Sequence, residues 1–354
     1  MISKGIAVRK RWAMCQANRW HLDPCDMRVL ITGAGGFIGE HLVLRLAREG
    51  YQVRACVHRR HPEISVPSEV QVVEGDVRNR SFMKAAASGC KVIVHLAGKA
   101  HAIHEVCADE DEYHAVNVEG TRHVLDGAVA GGARRIIYFS SVKVFGESSQ
   151  GCIDESALPQ PVTPYGRSKW EAEQLLNEYS ARGGLTSSSF RLPMVYGPSH
   201  KGNLFRMIAA IDRGRFPPLP YIRNHRSLLH VENLIDATLL TIRSSGPLRP
   251  CYVVTDARPY SITEIYESLR KGTGKPIARW RVPVKLLKVA ARCGDVLERI
   301  TRRSSPLTSP MLEKLIGSAW YSSDAIAQDL GYRPLIAFTD AVPEMIRFYR
   351  ASLQ

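Results

Sequence analysis

Met27-Arg28-Val29-Leu30-Ile31-Thr32-Gly33-Ala34-Gly35-Gly36-Phe37-Ile38-Gly39 decides how the rest of this 354-residue chain is read. Val29, Leu30 and Ile31 form a short apolar run typical of a buried strand, and the run enters the glycines with no linker. Beyond Gly39, Leu42, Leu44, Leu46 and Ala47 continue as an amphipathic helix. The pattern predicts strand, glycine turn, helix. Gly33 would make the tight turn, Gly36 would let backbone N–H groups approach a pyrophosphate, and Gly39 would let the helix pack closely on the strand. The helix N-terminus then presents its positive dipole end to the phosphates.

Downstream, strand patterns at residues 52–57, 70–73, 91–96 and 135–139 alternate with helical stretches at 80–87 and 119–130. Such alternation predicts a doubly wound parallel sheet whose ligands sit beyond the carboxyl ends of the strands. Asp76-Val77, Ala97-Gly98 and Ser140-Ser141 are expected in the loops after strands three, four and five. Upstream, residues 1–26 carry Lys4, Arg9, Lys10, Arg11 and Arg19 without periodicity. They read as a translation-start artefact, with Met27 the biological start, or as a disordered basic arm, with a membrane-targeting role a third reading.

The chain is 45% hydrophobic, enough for a large α/β domain and a smaller second lobe. Its formal net charge of +14 would suit nucleic acid, a membrane surface or an acidic small substrate; no nucleic-acid motif accompanies it, and the acidic substrate is favoured. The eight cysteines are scattered, with no CxxC pair and no metal-ligand spacing, which predicts reduced thiols, a cytoplasmic setting and no metal. No apolar run reaches the roughly 20 residues of a spanning helix, so no stable membrane insertion is expected.

The end of the second strand bears on cofactor choice. An NAD enzyme usually places an acid there for the ribose 2′-hydroxyl, whereas this chain reads Cys56-Val57-His58-Arg59-Arg60. Two guanidinium groups in place of a carboxylate favour NADP(H), with NAD(H) left open.

Pro164-Tyr165-Gly166-Arg167-Ser168-Lys169 opens a further amphipathic helix, and the i, i+4 spacing stacks Tyr165 and Lys169 on one face. A free tyrosine titrates near pH ~10, so acid/base work at neutrality needs a shift of about 3 units, roughly 4 kcal/mol, from nearby positive charge. Lys169 and an oxidised nicotinamide would supply it. Ser141 would hydrogen-bond the substrate oxygen whose proton Tyr165 takes or gives while hydride moves.

Together, 32–39, Gly75-Asp76-Val77-Arg78-Asn79, His95-Leu96-Ala97-Gly98, Asn117-Val118-Glu119-Gly120-Thr121, 140–146, 165–169 and 191–198 resemble the successive signatures of the extended short-chain dehydrogenases/reductases. The likeness covers nearly everything after Met27. Within that group the chain is similar to the UDP-glucose 4-epimerase branch of the NAD-dependent epimerase/dehydratase family. It especially resembles bacterial surface-polysaccharide epimerases and the 4-keto reductases forming UDP-N-acetylquinovosamine.

The resemblance implies an α/β architecture: a Rossmann-type doubly wound sheet mainly within residues 27–197, and a smaller α/β substrate lobe mainly within 198–354, with some return to the first domain. It implies that Ser141, Tyr165 and Lys169 are catalytic, that Asp76 holds the adenine and that Asn117 shapes the active site. Cofactor contacts would fall on Gly33, Gly36, Phe37, Ile38 and Gly39, on Arg59, Asp76 and Val77, and on Leu96, Ala97, Gly98 and Asn117. Tyr165, Lys169 and Pro193 would complete them. A homodimer through the helices beginning near Glu119 and Tyr165 is also implied.

After Gly197 prolines punctuate shorter elements. The stretches 201–205 and 224–234 resemble the family's nucleotide-diphosphate contacts, with Asn203 and Leu204 beside the uracil and Arg226 on the diphosphate. At Leu192-Pro193 the chain departs from UDP-galactose epimerases, which carry an asparagine that holds the sugar nucleotide. That departure and Arg59/Arg60 tilt the reading from 4-epimerase toward 4-keto reductase. A steroid or dihydroflavonol dehydrogenase would need an apolar pocket instead. The intact Tyr165 and Lys169 argue against a binding-only module. Residues 283–303 are basic and amphipathic, and a packed surface helix is expected there, with a bilayer-surface role as the second reading.

Overall fold

Alternation along single strands builds the two sides of the molecule. In β1 (Arg28–Thr32), Val29 and Ile31 enter one hydrophobic core while Leu30 enters another, as a period of two requires. Val92 and Val94 against Ile93 in β4, and Ile137 and Phe139 against Ile136 and Tyr138 in β5, repeat the division. A sheet apolar on both faces must be covered on both, which is the doubly wound solution.

The computed structural model describes residues 24–59, 66–99, 110–147, 151–199, 202–277, 280–301, 305 and 307–353. The basic segment 1–23, Arg60, Lys201, Arg302 and Arg303 lie outside these. The strands are β1, β2 (Gln52–Val57), β3 (Gln71–Glu74), β4 (Val92–His95), β5 (Arg135–Ser141), β6 (Cys152–Ile153), β7 (Thr186–Leu192), β8 (Met194–Tyr196), β9 (Arg226–His230), β10 (Cys251–Val253), β11 (Pro259–Tyr260) and β12 (Trp320–Tyr321). Seven form one parallel sheet in the order β3-β2-β1-β4-β5-β7-β10. The chain reverses direction across the sheet between β1 and β4, so a crevice opens beyond their carboxyl ends.

On one face lie α1 (Phe37–Arg48), through Leu42, Val43 and Leu46, and a helix considered below. On the other lie α2 (Arg80–Ala87), α3 (Gly120–Ala130) and α4 (Pro164–Ala181), through Met83, Val124, Leu125, Leu175 and Leu176. Local chemistry sets where these helices begin. The Asn79 side chain accepts from the Phe82 N–H at 2.9 Å to cap α2, and Thr163 accepts from the Gly166 N–H at 3.1 Å to cap α4, with Pro164 in the first turn.

A second core belongs to the carboxyl-terminal part. There β11-β9-β8 form a small sheet, packed with α5 (Asn203–Asp212), α6 (Val231–Arg243), α7 (Ile262–Gly272), α8 (Val284–Thr301), α9 (Ser309–Ile316), α10 (Asp324–Leu330) and α11 (Phe338–Ala351) around it and its neighbours. Three carboxyl-terminal elements reach the large sheet and its core: β10 pairs β7, α6 lays Leu234 and Ile235 beside α1, and α10 adds Ala325 and Ile326.

Candidate active site

Gly33 has φ of +70° and stands so close to β4 that a Cβ there would lie 2.7 Å from the Ala97 nitrogen. A Cβ on Gly39 would overlap the Gly33 carbonyl oxygen and come within 2.7 Å of Ala34 Cα. Both positions therefore require glycine, and between them Gly36 caps α1 with no side-chain partner. The first N–H groups of a 12-residue helix thus meet no side-chain cap at the crevice between β1 and β4, the arrangement that receives a phosphate group. These residues fit a dinucleotide: Gly33, Gly36, Phe37, Ile38 and Gly39 would hold its pyrophosphate, with Leu96, Ala97 and Gly98 as the opposite wall.

The wall is held by a buried polar chain. Thr32 Oγ1 and His95 Nδ1 are 2.6 Å apart, His95 Nε2 lies 3.0 Å from Thr121 Oγ1, and the Ala97 N–H donates to Thr32 Oγ1. Burial and the nearby Lys169 push His95 down to about 3, so it is neutral at physiological pH and serves as a relay of hydrogen bonds, not of charge.

Asn117 lies in a π-helical turn, His114–Glu119, that runs into α3. Its Oδ1 accepts the Lys99 N–H at 2.7 Å, and its Nδ2 donates to Ser168 Oγ at 3.0 Å; Ser168 in turn donates to the Tyr165 carbonyl at 2.9 Å. Lys169 is almost fully buried, and its Nζ donates to the Phe139 carbonyl at 2.8 Å while lying 4.6 Å above the Tyr138 ring. Desolvation pulls Lys169 down to about 8, against a smaller opposing pull from Glu173. Tyr165 is half-buried one turn earlier, with its ring centroid 5.9 Å from that of Tyr113.

Ser141 is the last residue of β5, where it pairs with Leu192 and its Oγ accepts the Lys143 N–H at 3.2 Å. The expectation that Ser140 and Ser141 lie in a loop after the strand is corrected: pairing with β7 carries the strand through both. A Cβ on Gly166 would come within 2.7 Å of the Lys143 carbonyl, so the start of α4 is pressed against the turn that follows Ser141. A glycine turn beneath one helix, and a Tyr-Lys helix pressed against a strand-end serine, thus share one end of the sheet.

A family model described as the NAD dependent epimerase/dehydratase family matches residues 29–254. The chain belongs to this family. The undecaprenol-linked N-acetylglucosaminyl-diphosphate 4-epimerase of Escherichia coli O157:H7 is 25% identical over 303 residues, covering 84% of this chain and 88% of the relative. The 2-alkyl-3-oxoalkanoate reductase of Stenotrophomonas maltophilia is 27% identical over 334 residues, covering 89% and 97%. Among solved structures, the UDP-glucuronic acid 4-epimerase of Bacillus cereus in complex with UDP-glucuronic acid and NAD superposes with a TM-score of 0.74 at 21% identity, covering 92% of this chain and all of the other.

In this epimerase/dehydratase chain the remaining residues expected at the site are spread more widely. Asp76 spends its carboxylate on the Arg78 backbone and guanidinium, which hold it below the usual range, with His58 Nε2 3.7 Å away. Val77 is buried in the core, and Arg59 is exposed. Pro193 is buried between β7 and β8. Asn203 is exposed in the first turn of α5, while Leu204 is buried in the core of the lobe. Arg226 opens β9, where its Nη1 donates to the carbonyls of Lys314 and Gly317 at the end of α9; burial lowers its pKa. Part of the guanidinium expected on a diphosphate is therefore engaged in holding a helix end.

One pair escaped the sequence reading. Glu173 on α4 and Arg191 on β7 meet at 2.8 Å, 3% and 4% exposed, and Glu173 also accepts from Ser140. Helical spacing marks one partner, since Tyr165, Lys169 and Glu173 continue at i, i+4, i+8 along one face, but nothing local announces Arg191, which follows Phe190 in a serine-rich strand.

Proposed function

We propose that this enzyme is an NAD(P)-dependent oxidoreductase acting at carbon 4 of a nucleotide-diphosphate sugar, with reduction of a 4-keto sugar as its net reaction. The observation that carries this reading is the buried Lys169 ammonium, fixed on the Phe139 carbonyl one helical turn from Tyr165. Placed there, the cation favours the phenolate form of Tyr165, which takes or gives the proton of the sugar hydroxyl. Ser141, at the end of β5, donates to the same oxygen and orients it. Leu96, Ala97 and Gly98 would border a bound nicotinamide, which would supply the hydride acceptor or donor. Tyr165, Lys169 and Ser141 need only exchange one proton with the substrate.

NAD dependence is the family's property. The preference for NADP(H) drawn from Arg59 and Arg60 finds no support among the comparisons, and physically the corner is not purely cationic, because the Asp76 carboxylate lies close to His58. NAD(H) is therefore the cofactor proposed first. The nucleotide-sugar assignment draws on the substrate named for the Bacillus cereus structure, whereas the substrate named for the Escherichia coli relative carries its sugar diphosphate on undecaprenol and not on a nucleotide.

The same three residues serve a second reading, a 4-epimerase, which the Escherichia coli relative favours by its name. It would hold NAD tightly and return the hydride to the opposite face of the sugar. Denaturing freshly purified protein and identifying any released nucleotide separates the two. An empty site that accepts NADH or NADPH and consumes it with UDP-4-keto sugars supports the reductase; stoichiometric retained NAD, with interconversion of 4-epimers and no net consumption, assigns the epimerase. Absence of both activities would overturn the assignment to carbon 4.

A further inference from the structure

Helix α8 has three different sides. Leu287, Ala291 and Gly294 face inward onto α9 and the segment before it; a Cβ on Gly294 would overlap the Leu307 carbonyl and stand 2.8 Å from Ser305 Oγ, so the contact is tight. The helix's two carboxylates turn the same way, Asp295 accepting from the Ser309 N–H and hydroxyl, Glu298 from the Ser305 N–H. The opposite side is apolar and exposed: Leu286, Val289, Val296, Leu297 and Ile300 are 51–75% exposed. Between these sides Lys285, Lys288, Arg292 and Arg299 recur at helical spacing, all of them exposed, as a basic stripe along one edge of the apolar side.

The ordinary explanation of such a helix, a surface helix packed by its apolar side, does not hold here. The packed side offers one large aliphatic side chain, Leu287, beside Ala291, Gly294 and internal hydrogen bonds, whereas Leu286, Val289, Val296, Leu297 and Ile300 face away from the protein. Trp280, four residues before the helix, is 65% exposed as well, held in place by the Val282 N–H on the Pro218 carbonyl. An 18-residue helix is about 27 Å long, too polar along one edge to enter a bilayer core, and no helix among the described residues is long and apolar enough to cross a membrane. Apolar side chains beside an unbroken cationic stripe, with both of the helix's carboxylates turned inward, complement an anionic lipid headgroup surface over a hydrocarbon layer.

We propose that α8 docks this enzyme on an anionic bilayer surface, with the apolar side in the acyl boundary and the basic stripe among the headgroups. The helix is positioned to orient the substrate lobe there. Its partner α9 ends on the Arg226 guanidinium, and Ala319, just before β12, exchanges backbone hydrogen bonds with His225 and Ser227, so the helical hairpin and β9 are one mechanical unit. The inference concerns a surface apart from the catalytic residues and stands for any substrate the site takes.

Sedimentation with vesicles tests it, using the full chain and two lipid compositions: phosphatidylglycerol mixed with phosphatidylethanolamine, and phosphatidylcholine alone. The protein should sediment with the first at low salt and remain in solution with the second. Lys288→Ala with Arg292→Ala should weaken the anionic binding by roughly 25-fold, about fivefold per cation. Leu286→Ser with Val289→Ser and Ile300→Ser should abolish it. Both variants should keep the thermal midpoint and the turnover of a water-soluble substrate, because none of these side chains is buried. Equal sedimentation of wild type and variants, or none with either composition, would overturn the proposal. So would a fall in solution mass of the serine variant from dimer to monomer without any vesicle binding by the wild type, which would give the face to a second copy of the chain.

Discussion

The Glu173 carboxylate lies 2.8 Å from the Arg191 guanidinium in the interior, where it joins the helix bearing Tyr165 and Lys169 to the strand that ends at Leu192. Removing one partner leaves the other charged and desolvated. Glu173→Ala should therefore cost about 3–5 kcal/mol in urea unfolding, whereas Glu173→Leu with Arg191→Met should recover most of that loss. A single variant as stable as wild type would mean the pair is not the clamp described here.

Tyr165→Phe keeps the ring beside Tyr113 and removes only the hydroxyl. Turnover should fall by roughly 10²–10⁴-fold while the dissociation constants for NADH, followed by its dihydronicotinamide fluorescence, and for NAD, followed by calorimetry, stay within a factor of a few. Loss of NAD binding of the same size would show that the phenol builds the cofactor site and does not merely exchange a proton.

Lys169 titrates near 8 in the fold and 10.5 when exposed, so the folded chain sheds this proton first. Two consequences have opposite slopes. Activity that needs the cation should decline as pH rises through about 8. Stability linked to this group should instead increase between about pH 8 and 10.5, because there the unfolded chain holds more protons. Lys169→Met should thus be relatively most stable below pH 8, by on the order of 3 kcal/mol, and lose that advantage by pH 10.5. Parallel denaturation and pH-rate profiles check both limbs.

Gly98 faces Asn117 and Lys169: a Cβ would lie 2.9 Å from Asn117 Oδ1 and 3.4 Å from Lys169 Nζ. Gly98→Ala should displace the asparagine amide from the Lys99 N–H and lower kcat more than tenfold, with a stability loss of about 1–3 kcal/mol. Full activity in this variant would show that Asn117 has room to yield.

These residues also mark how far the sequence could be read. Gly33 and Gly39 announce themselves because a tight turn and a close helix exclude every other residue, and the period-two division of Val29, Leu30 and Ile31 foretells a sheet covered on both faces. Tyr165 and Lys169 are legible because their partnership is local, one turn of one helix. Contacts made across the fold are not. No local pattern places Glu173 beside Arg191, winds Asn117 into a π turn, or reveals that Leu204 belongs to a core and that the Arg226 guanidinium reaches the end of α9. On α8 the period was visible, but which side would face the protein was decided by Gly294 and the inward carboxylates.

Arg226 shows what that limit does to an experiment. From sequence alone Arg226→Ala is a probe of diphosphate binding. In the structure the same change removes a charged donor from the carbonyls of Lys314 and Gly317, and although Gly317 keeps the Asn224 amide, losing a charge-assisted hydrogen bond costs about 1.5–3 kcal/mol. The alanine variant should therefore unfold at lower temperature and also raise KM for a UDP-sugar about tenfold. Arg226→Lys retains the charge without the fork and should restore part of the stability and little of the affinity. Measured below the melting transition of each variant, an unchanged KM would assign Arg226 wholly to anchoring α9, whereas a raised KM at full folding would put its remaining nitrogens on the substrate.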